Sequence, residues 1–167
     1  MNYGHRRGRW TGAARFGLVL VAALEFALAS PLAAQAAESY EKGVIGTRML
    51  EGSGGLTIKM LVERSNLGGS EVELGEIVFP VGAGTSGGGH VHTRVEVFYI
   101  LEGRLDHVVN GASHLLDPGM VGIVRPGDEV IHRVASEVPV RALVIWAPGG
   151  EADRIAGFLE ERPIDPR

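Results

Sequence analysis

The sequence contains no cysteine. Disulfide bonds and metal sites with thiolate ligands are therefore excluded, and the fold must be stabilised by the burial of apolar side chains. Clusters of basic residues are absent as well, although a protein that binds nucleic-acid phosphates needs lysine and arginine on one face. The composition thus argues against a nucleic-acid partner, and no internal repeat indicates a repetitive architecture.

Long apolar runs are confined to the N-terminus, where residues 16–29 follow four arginines. This run is followed by Pro31 and by Ala-Gln-Ala at 34–36, a small-x-small pattern typical of signal-peptidase cleavage. The alternative is a retained membrane anchor, which the interruptions at Glu25 and Pro31 disfavour. We therefore expect a signal peptide at residues 1–36 and an exported, periplasmic protein without stable membrane association after cleavage.

The remaining residues, 37–167, are acidic. Without the four arginines and the one glutamate of the predicted signal, they carry 12 basic and 19 acidic residues, a formal charge of −7. A segment of this length is typical of a single domain. We expect that domain to be soluble and to fold without disulfide bonds.

Short apolar runs separated by turn residues recur through the predicted domain, which is typical of the strands of a β-sandwich or β-barrel. The pair Asn110-Gly111 predicts a two-residue hairpin. Residues 151–161 instead carry apolar residues at helical spacing and predict a short C-terminal helix. The sequence therefore predicts an all-β domain with one terminal helix. The predicted strands are 44–50, 56–62, 72–79, 95–101, 105–109, 113–116, 120–124, 130–134 and 140–146.

The segment GAGTSGGGHVHTRVE at residues 82–96 fits two patterns. Its first six residues match GxGxxG, a dinucleotide-binding fingerprint, and its last seven match HxHxxxE, a possible set of metal ligands. A dinucleotide turn must open a helix, whereas these glycines lead into the strand-like run 95–101. A phosphate-binding loop is disfavoured too, because His90 stands where its lysine would be. The second pattern is the better interpretation.

The HxHxxxE residues share one face of an extended segment. His90 and His92 are two residues apart, and Glu96 has the same parity, so all three side chains are predicted to point the same way. Two imidazoles and a carboxylate suit Fe, Mn, Ni, Cu or Zn. Surface histidines that recur by chance are the alternative interpretation.

The spacing Gly84-x5-His90-x-His92-x3-Glu96-x6-Gly103 resembles the first signature of the cupin superfamily at every position. This resemblance implies a jelly-roll β-barrel with its core at about residues 72–146 and with the metal ligands inside the barrel. The glycines at 87–89 are expected to let the backbone bend into the strand that presents His90.

A second cupin signature is matched less closely. Gly119 and Gly127 align with it, but His132 comes later than in the family pattern, which predicts a longer loop before this histidine. The resemblance implies that His132 is the fourth ligand of one divalent transition metal ion, beside His90, His92 and Glu96. Two further histidines, His107 and His114, flank the predicted hairpin and are expected to lie on a solvated face.

The resemblance also bears on activity. The sequence Pro148-Gly-Gly-Glu151 resembles the tail of bacterial quercetinase-like cupins. This implies an oxygenase for a small phenolic or diketone-like molecule, with Glu96 as a catalytic residue that changes between ligand and base. Phe98 and Ile100 share the parity of Glu96 and are expected to line the interior. A metal-dependent isomerase or lyase and a non-enzymatic periplasmic binding protein remain alternatives.

A homodimer is the expected assembly. The predicted strands 44–50 and 56–62 exceed what the two cupin signatures require, and an unpaired strand edge invites pairing with another chain.

Overall fold

The computed structural model describes residues 45–84 and 88–164 of the chain. The predicted signal peptide at 1–36 and its cleavage site lie outside the described residues. Within the described ranges, a search for apolar helices of membrane-spanning length finds none.

The described part of the chain is built mainly from short strands. Its helical elements are a 3-10 turn at Ser53–Gly55 and two short helices, α1 at Arg64–Leu67 and α2 at Glu151–Ala156. The strands are β1 Arg48–Glu51, β2 Thr57–Val62, β3 Glu73–Phe79, β4 His90–Val91, β5 Val95–Glu102, β6 Leu105–Val109, β7 Ala112–Leu116, β8 Val121–Val124, β9 Glu129–Val134, β10 Val140–Ala147 and β11 Glu160–Pro163.

The strands form two antiparallel sheets. One has seven strands in the order β11-β1-β2-β3-β10-β5-β8, and the other has four in the order β4-β9-β6-β7. Side chains alternate along the strands, so that in β5 Phe98 and Ile100 are buried while Tyr99 between them is exposed. Together with Leu105 from the other sheet, they join one apolar core. The described part of the chain is thus an all-β jelly-roll barrel with a short C-terminal helix, as the sequence predicts.

The nine predicted strands are all present, with bounds that shift by a few residues. The predicted hairpin is confirmed as well, because Asn110 and Gly111 adopt φ values of 49° and 79° in the turn between β6 and β7. Positive φ at both positions matches the right-handed twist of the two strands that the turn connects.

The C-terminal helix is shorter than the predicted 151–161. It ends at Ala156, and Glu160–Pro163 forms β11 instead, which pairs with β1. Gly157 follows the helix and has low helix propensity. The backbone groups along the free side of β1 find partners in β11, which favours strand over helix there.

The two N-terminal strands are paired within the chain. β1 lies between β11 and β2, and β2 pairs with β3. Both strands are therefore engaged on each side, and the open edge that motivates the homodimer is absent at β1. The homodimer remains a prediction, and light scattering that gives a monomer mass would contradict it.

Candidate metal centre

Glu96 lies at the centre of the predicted site. Its carboxylate is 2 % exposed, and its Oε2 accepts a hydrogen bond of 2.8 Å from Trp146 Nε1. The same oxygen lies 3.1 Å from His92 Nε2, while Oε1 lies 3.4 Å from His132 Nε2. His92 Nε2 is also 2.9 Å from His90 Nε2. The fold thus brings the three predicted histidine ligands, from β4, β9 and the segment between β4 and β5, together with the Glu96 carboxylate on β5.

The charge on Glu96 is set by these neighbours. Burial alone would raise the pKa of the carboxyl group, but His132 and His92 outweigh it and hold that pKa well below its usual range. The carboxylate is therefore anionic at neutral pH, which is the form that binds a metal ion.

Buried nitrogen and oxygen atoms without hydrogen-bond partners indicate whether a metal ion fits this site. Glu96 Oε1 and His132 Nε2 are buried without a hydrogen-bond partner, and so is Nε2 of a further histidine, His107. Buried polar atoms are ordinarily paired, and leaving one unpaired costs about 1–3 kcal/mol. Nitrogen and oxygen lone pairs that converge on one point are the ligands that divalent transition metals prefer. The side chains present fit such an ion.

The prediction for His107 is wrong. This residue is 2 % exposed rather than solvated, whereas His114, its cross-strand partner, is exposed as expected. His107 also pairs in register with His132 on β9, and the two rings stack at a centroid distance of 5.3 Å. Burial and the neighbouring His132 lower the pKa of His107 to about 4, so its imidazole is neutral at pH 7. Glu96, His107 and His132 together form a group whose donor atoms lie within 4.8 Å of one another.

Comparison with known proteins identifies the fold family. The family model of the cupin domain matches residues 75–146 of this sequence. These residues carry a cupin domain. This domain covers the region that carries both signatures, and no curated protein sequence matches the chain.

Solved structures with the same fold come from several bacteria. An RmlC-like cupin from Shewanella frigidimarina aligns with 24 % identity over 68 % of this chain and 96 % of its own, with a TM-score of 0.55. KdgF from Halomonas sp. aligns with 18 % identity over 63 % and 89 %, with a TM-score of 0.53. A predicted oxalate decarboxylase from Thermotoga maritima aligns with 18 % identity over 62 % and 94 %, with a TM-score of 0.54. At these identities the likeness establishes the fold alone.

The loop before His132 is a short turn. The turn is confined to residues 125–128, where Arg125 and Asp128 exchange two hydrogen bonds of 3.0 Å. The strand β9 then begins at Glu129, because its first two residues pair with β4. His132 is therefore the fourth residue of β9, and the strand sets the direction of its side chain.

Glu151 orients the imidazole of His92 through its Nδ1 atom, on the side away from Glu96. The Glu151 side chain is fully buried, and its Oε1 lies 2.7 Å from His92 Nδ1 and 2.8 Å from Arg154 Nε. A carboxylate that accepts Nδ1–H leaves the lone pair of Nε2 directed at the ion site. Arg154 and His92 lower the pKa of Glu151 against the opposing effect of burial, so the orienting group is a carboxylate.

Glu151 is itself fixed by the N-terminus of α2. The carboxylate of Glu73 on β3 accepts hydrogen bonds of 2.9 Å from the backbone N–H groups of Glu151 and Ala152. Sequence reasoning placed Glu151 in the Pro148-Gly-Gly-Glu151 tail and predicted no contact with the ligands, and 59 residues separate it from His92. The buried start of α2 is the structural feature that connects them.

The glycine of the first signature packs directly on the site. Gly84 has φ +76°, and a Cβ at this position would lie 1.9 Å from the carbonyl oxygen of His132. The preceding residue also contacts β9, because Ala83 O accepts a 3.1 Å hydrogen bond from Val134 N. Of the glycines expected to bend the chain, Gly87 lies outside the described residues, and a Cβ on Gly89 would meet the side chain of Glu129. The close approach of Gly84 to β9 therefore helps to position His132.

A cavity of about 440 Å³ opens above Glu96. Its walls are largely apolar, and Phe98 lines it as predicted, while Ile100 is buried in the core without lining it. The segment from α2 to β11 borders the opening, where Phe158 is 81 % exposed and Arg154 supplies a positive charge. The cavity has the size and lining of a small-molecule site. Its lining residues are Leu56, Ile58, Ile77, Phe79, His90, His92, Glu96, Phe98, His132, Trp146, Arg154, Ile155, Phe158 and Leu159.

Proposed function

We propose that this cupin is a metal-dependent oxygenase that acts on a small, partly aromatic molecule, such as a phenol or a diketone. One observation carries the proposal: a buried, anionic Glu96, whose Oε1 has no hydrogen-bond partner, lies among histidines at the base of an apolar cavity. A polar group without a partner at the end of an apolar pocket is a common arrangement in active sites.

One divalent transition metal ion, of Fe, Mn, Ni, Cu or Zn, would be held by His90, His92, Glu96 and His132. When bound, such an ion polarises a substrate oxygen and offers a position for O₂. The imidazole of His92 is kept in place by Glu151, and the carboxylate of Glu96 by Trp146. Glu151 and Trp146 thus orient two of the proposed metal ligands.

The remaining steps depend on side chains. Trp146 holds Glu96 through Oε2, which leaves Oε1 to accept a proton from a substrate hydroxyl or from a carbon next to a carbonyl group. Phe79 and Phe98 lie on the cavity wall 6.0 Å apart between ring centroids, where they can pack against an aromatic substrate and exclude water.

A metal-dependent isomerase or lyase is the second candidate. The guanidinium group of Arg154 borders the cavity and is 41 % exposed, while its other contacts are to Glu151 and His92. An arginine at the opening of an apolar pocket favours a substrate with a carboxylate. Rearrangement of such a substrate requires a base such as Glu96 but no O₂.

Oxygen consumption distinguishes these candidates. Protein purified from its native compartment is analysed for metal, stripped with chelator, reloaded with each metal singly, and screened with phenols and diketones in an oxygen electrode. We expect substrate loss with matching O₂ uptake in one loaded form and none in the stripped form. Substrate loss without O₂ uptake would indicate the isomerase or lyase. Metal-dependent ligand binding without turnover would indicate a binding protein.

We also propose that the protein is exported, since residues 1–36 have the pattern of a cleaved signal. N-terminal sequencing of the mature protein from the periplasm should give a start at or near Ala37. An intact chain beginning at Met1 and recovered from membranes would contradict export.

A further inference from the structure

We propose that the barrel contains a second ion-binding position, formed by Glu96, His107 and His132 and without a ligand from the pair His90 and His92. It shares Glu96 and His132 with the proposed site but does not require that function to be an oxygenase. His107 has no place in either cupin signature of this sequence, so the position goes beyond the predicted ligand set.

Half of the buried side-chain polar atoms without a hydrogen-bond partner, among the described residues, lie at this second position. Among the described residues, six buried side-chain nitrogen or oxygen atoms have no hydrogen-bond partner, and three of these six are Glu96 Oε1, His107 Nε2 and His132 Nε2. The three residues also supply donor atoms within 4.8 Å of one another. Two ligands of a tetrahedral ion with bonds of about 2.1 Å are about 3.4 Å apart. Glu96 Oε1 and His132 Nε2 are separated by this distance, 3.4 Å.

The two oxygens of Glu96 face different partners. Oε2 accepts the hydrogen bond of Trp146 and lies 3.1 Å from His92 Nε2, on the side of His90. Oε1 lies on the side of His132, 3.4 Å from its Nε2. A carboxylate can bind a different ion through each oxygen, but His132 Nε2 has one lone pair, so His132 binds an ion in only one of the two positions at a time.

The backbone fixes His107 in this place. Its register partner on β9 is His132, and the two ring planes are 11° apart. On the opposite wall, β8 carries Gly122, where a Cβ would lie 2.5 Å from His107 Nδ1. A side chain at Gly122 would displace the imidazole, so the absence of one makes room for His107 beside the site.

A separate cavity borders His107. It measures about 600 Å³ and lies between β7 and β8, which are edge strands of the two different sheets. His107 lines this cavity, as do His114 and Asp128.

The test uses the full mature chain and Co²⁺ as the probe. In a His90→Ala/His92→Ala double variant, equilibrium dialysis should still detect one equivalent of Co²⁺, with visible absorption from nitrogen ligation. Adding His107→Phe should remove that equivalent, because the ring still packs against His132 but has no donor atom. Adding His114→Ala to the same double variant is the matched control and should leave the Co²⁺ bound.

Two results would overturn the inference. The double variant could bind no Co²⁺ although the wild type does, or His107→Phe could leave the equivalent in place. Circular dichroism and thermal melting of each metal-free variant establish that it is folded, and His107→Gln provides a second variant if His107→Phe is not. The proposed function fails separately, when the metal-loaded wild type turns over no substrate, so the two failures are distinguishable.

Discussion

Replacing Glu96 with glutamine is expected to remove stoichiometric metal from the protein and to make its thermal stability independent of chelator. Glutamine keeps the shape of the side chain and an oxygen for the Trp146 hydrogen bond of 2.8 Å. It lacks the negative charge that the buried site supplies to a divalent ion. Because both ion positions use Glu96, neither should be filled in this variant.

The stability difference follows from binding to the folded state. An ion present at 100 times its dissociation constant stabilises the folded protein by about 2.7 kcal/mol. Chelator should therefore lower the melting temperature of the wild type but leave that of Glu96→Gln unchanged. Glu102→Gln is the matched control, because Glu102 lies on the same strand with a side chain that is 60 % exposed. A Glu96→Gln protein that retains one equivalent of metal would contradict the role of this carboxylate.

Much of the barrel could be predicted because alternation in its strands is strong. In β2, the buried Ile58 and Met60 alternate with the polar Thr57 and Lys59, so the sequence itself shows the period of two. The two strands that the sequence does not predict, β4 and β11, lack such an alternation of buried and exposed residues. β4 has two exposed residues and exists through its pairing with β9, and all four residues of β11 are exposed. Both are strands because of the neighbour that they pair with, which local sequence does not reveal.

The site was predictable where its ligands are close in sequence. His90, His92 and Glu96 lie within one short segment, so spacing alone places them together. His107 was missed because polar residues that alternate with apolar ones ordinarily face solvent. The signal that could have found it is its parity with Leu105, a core residue of the same strand. His114 has the same orientation in register but is exposed, because β7 is an edge strand of its sheet.

Exchanging Gly84 for alanine is expected to destabilise the protein by several kcal/mol and to lower its metal content. The new Cβ would lie 1.9 Å from the carbonyl oxygen of His132, a backbone atom in β9. That strand is paired with β4 and β6 on its two sides, so it cannot move away freely. Forcing the strands apart costs about 1–3 kcal/mol, in addition to about 1 kcal/mol or more for the positive φ. Displacement of β9 also moves the ring of His132 away from Glu96.

A second glycine separates the steric effect from the backbone effect. Gly119 has φ +88° in the turn before β8, but a Cβ there would have no atom within 4 Å. Gly119→Ala should therefore show only the cost of positive φ, about 1–2 kcal/mol in the free energy of unfolding by urea, with unchanged metal content. If both alanine variants lose the same stability and keep their metal, the contact between Gly84 and β9 does not position His132. A larger loss of stability in Gly84→Ala than in Gly119→Ala, together with a lower metal content, would show that Gly84 positions His132 through its backbone contact with β9.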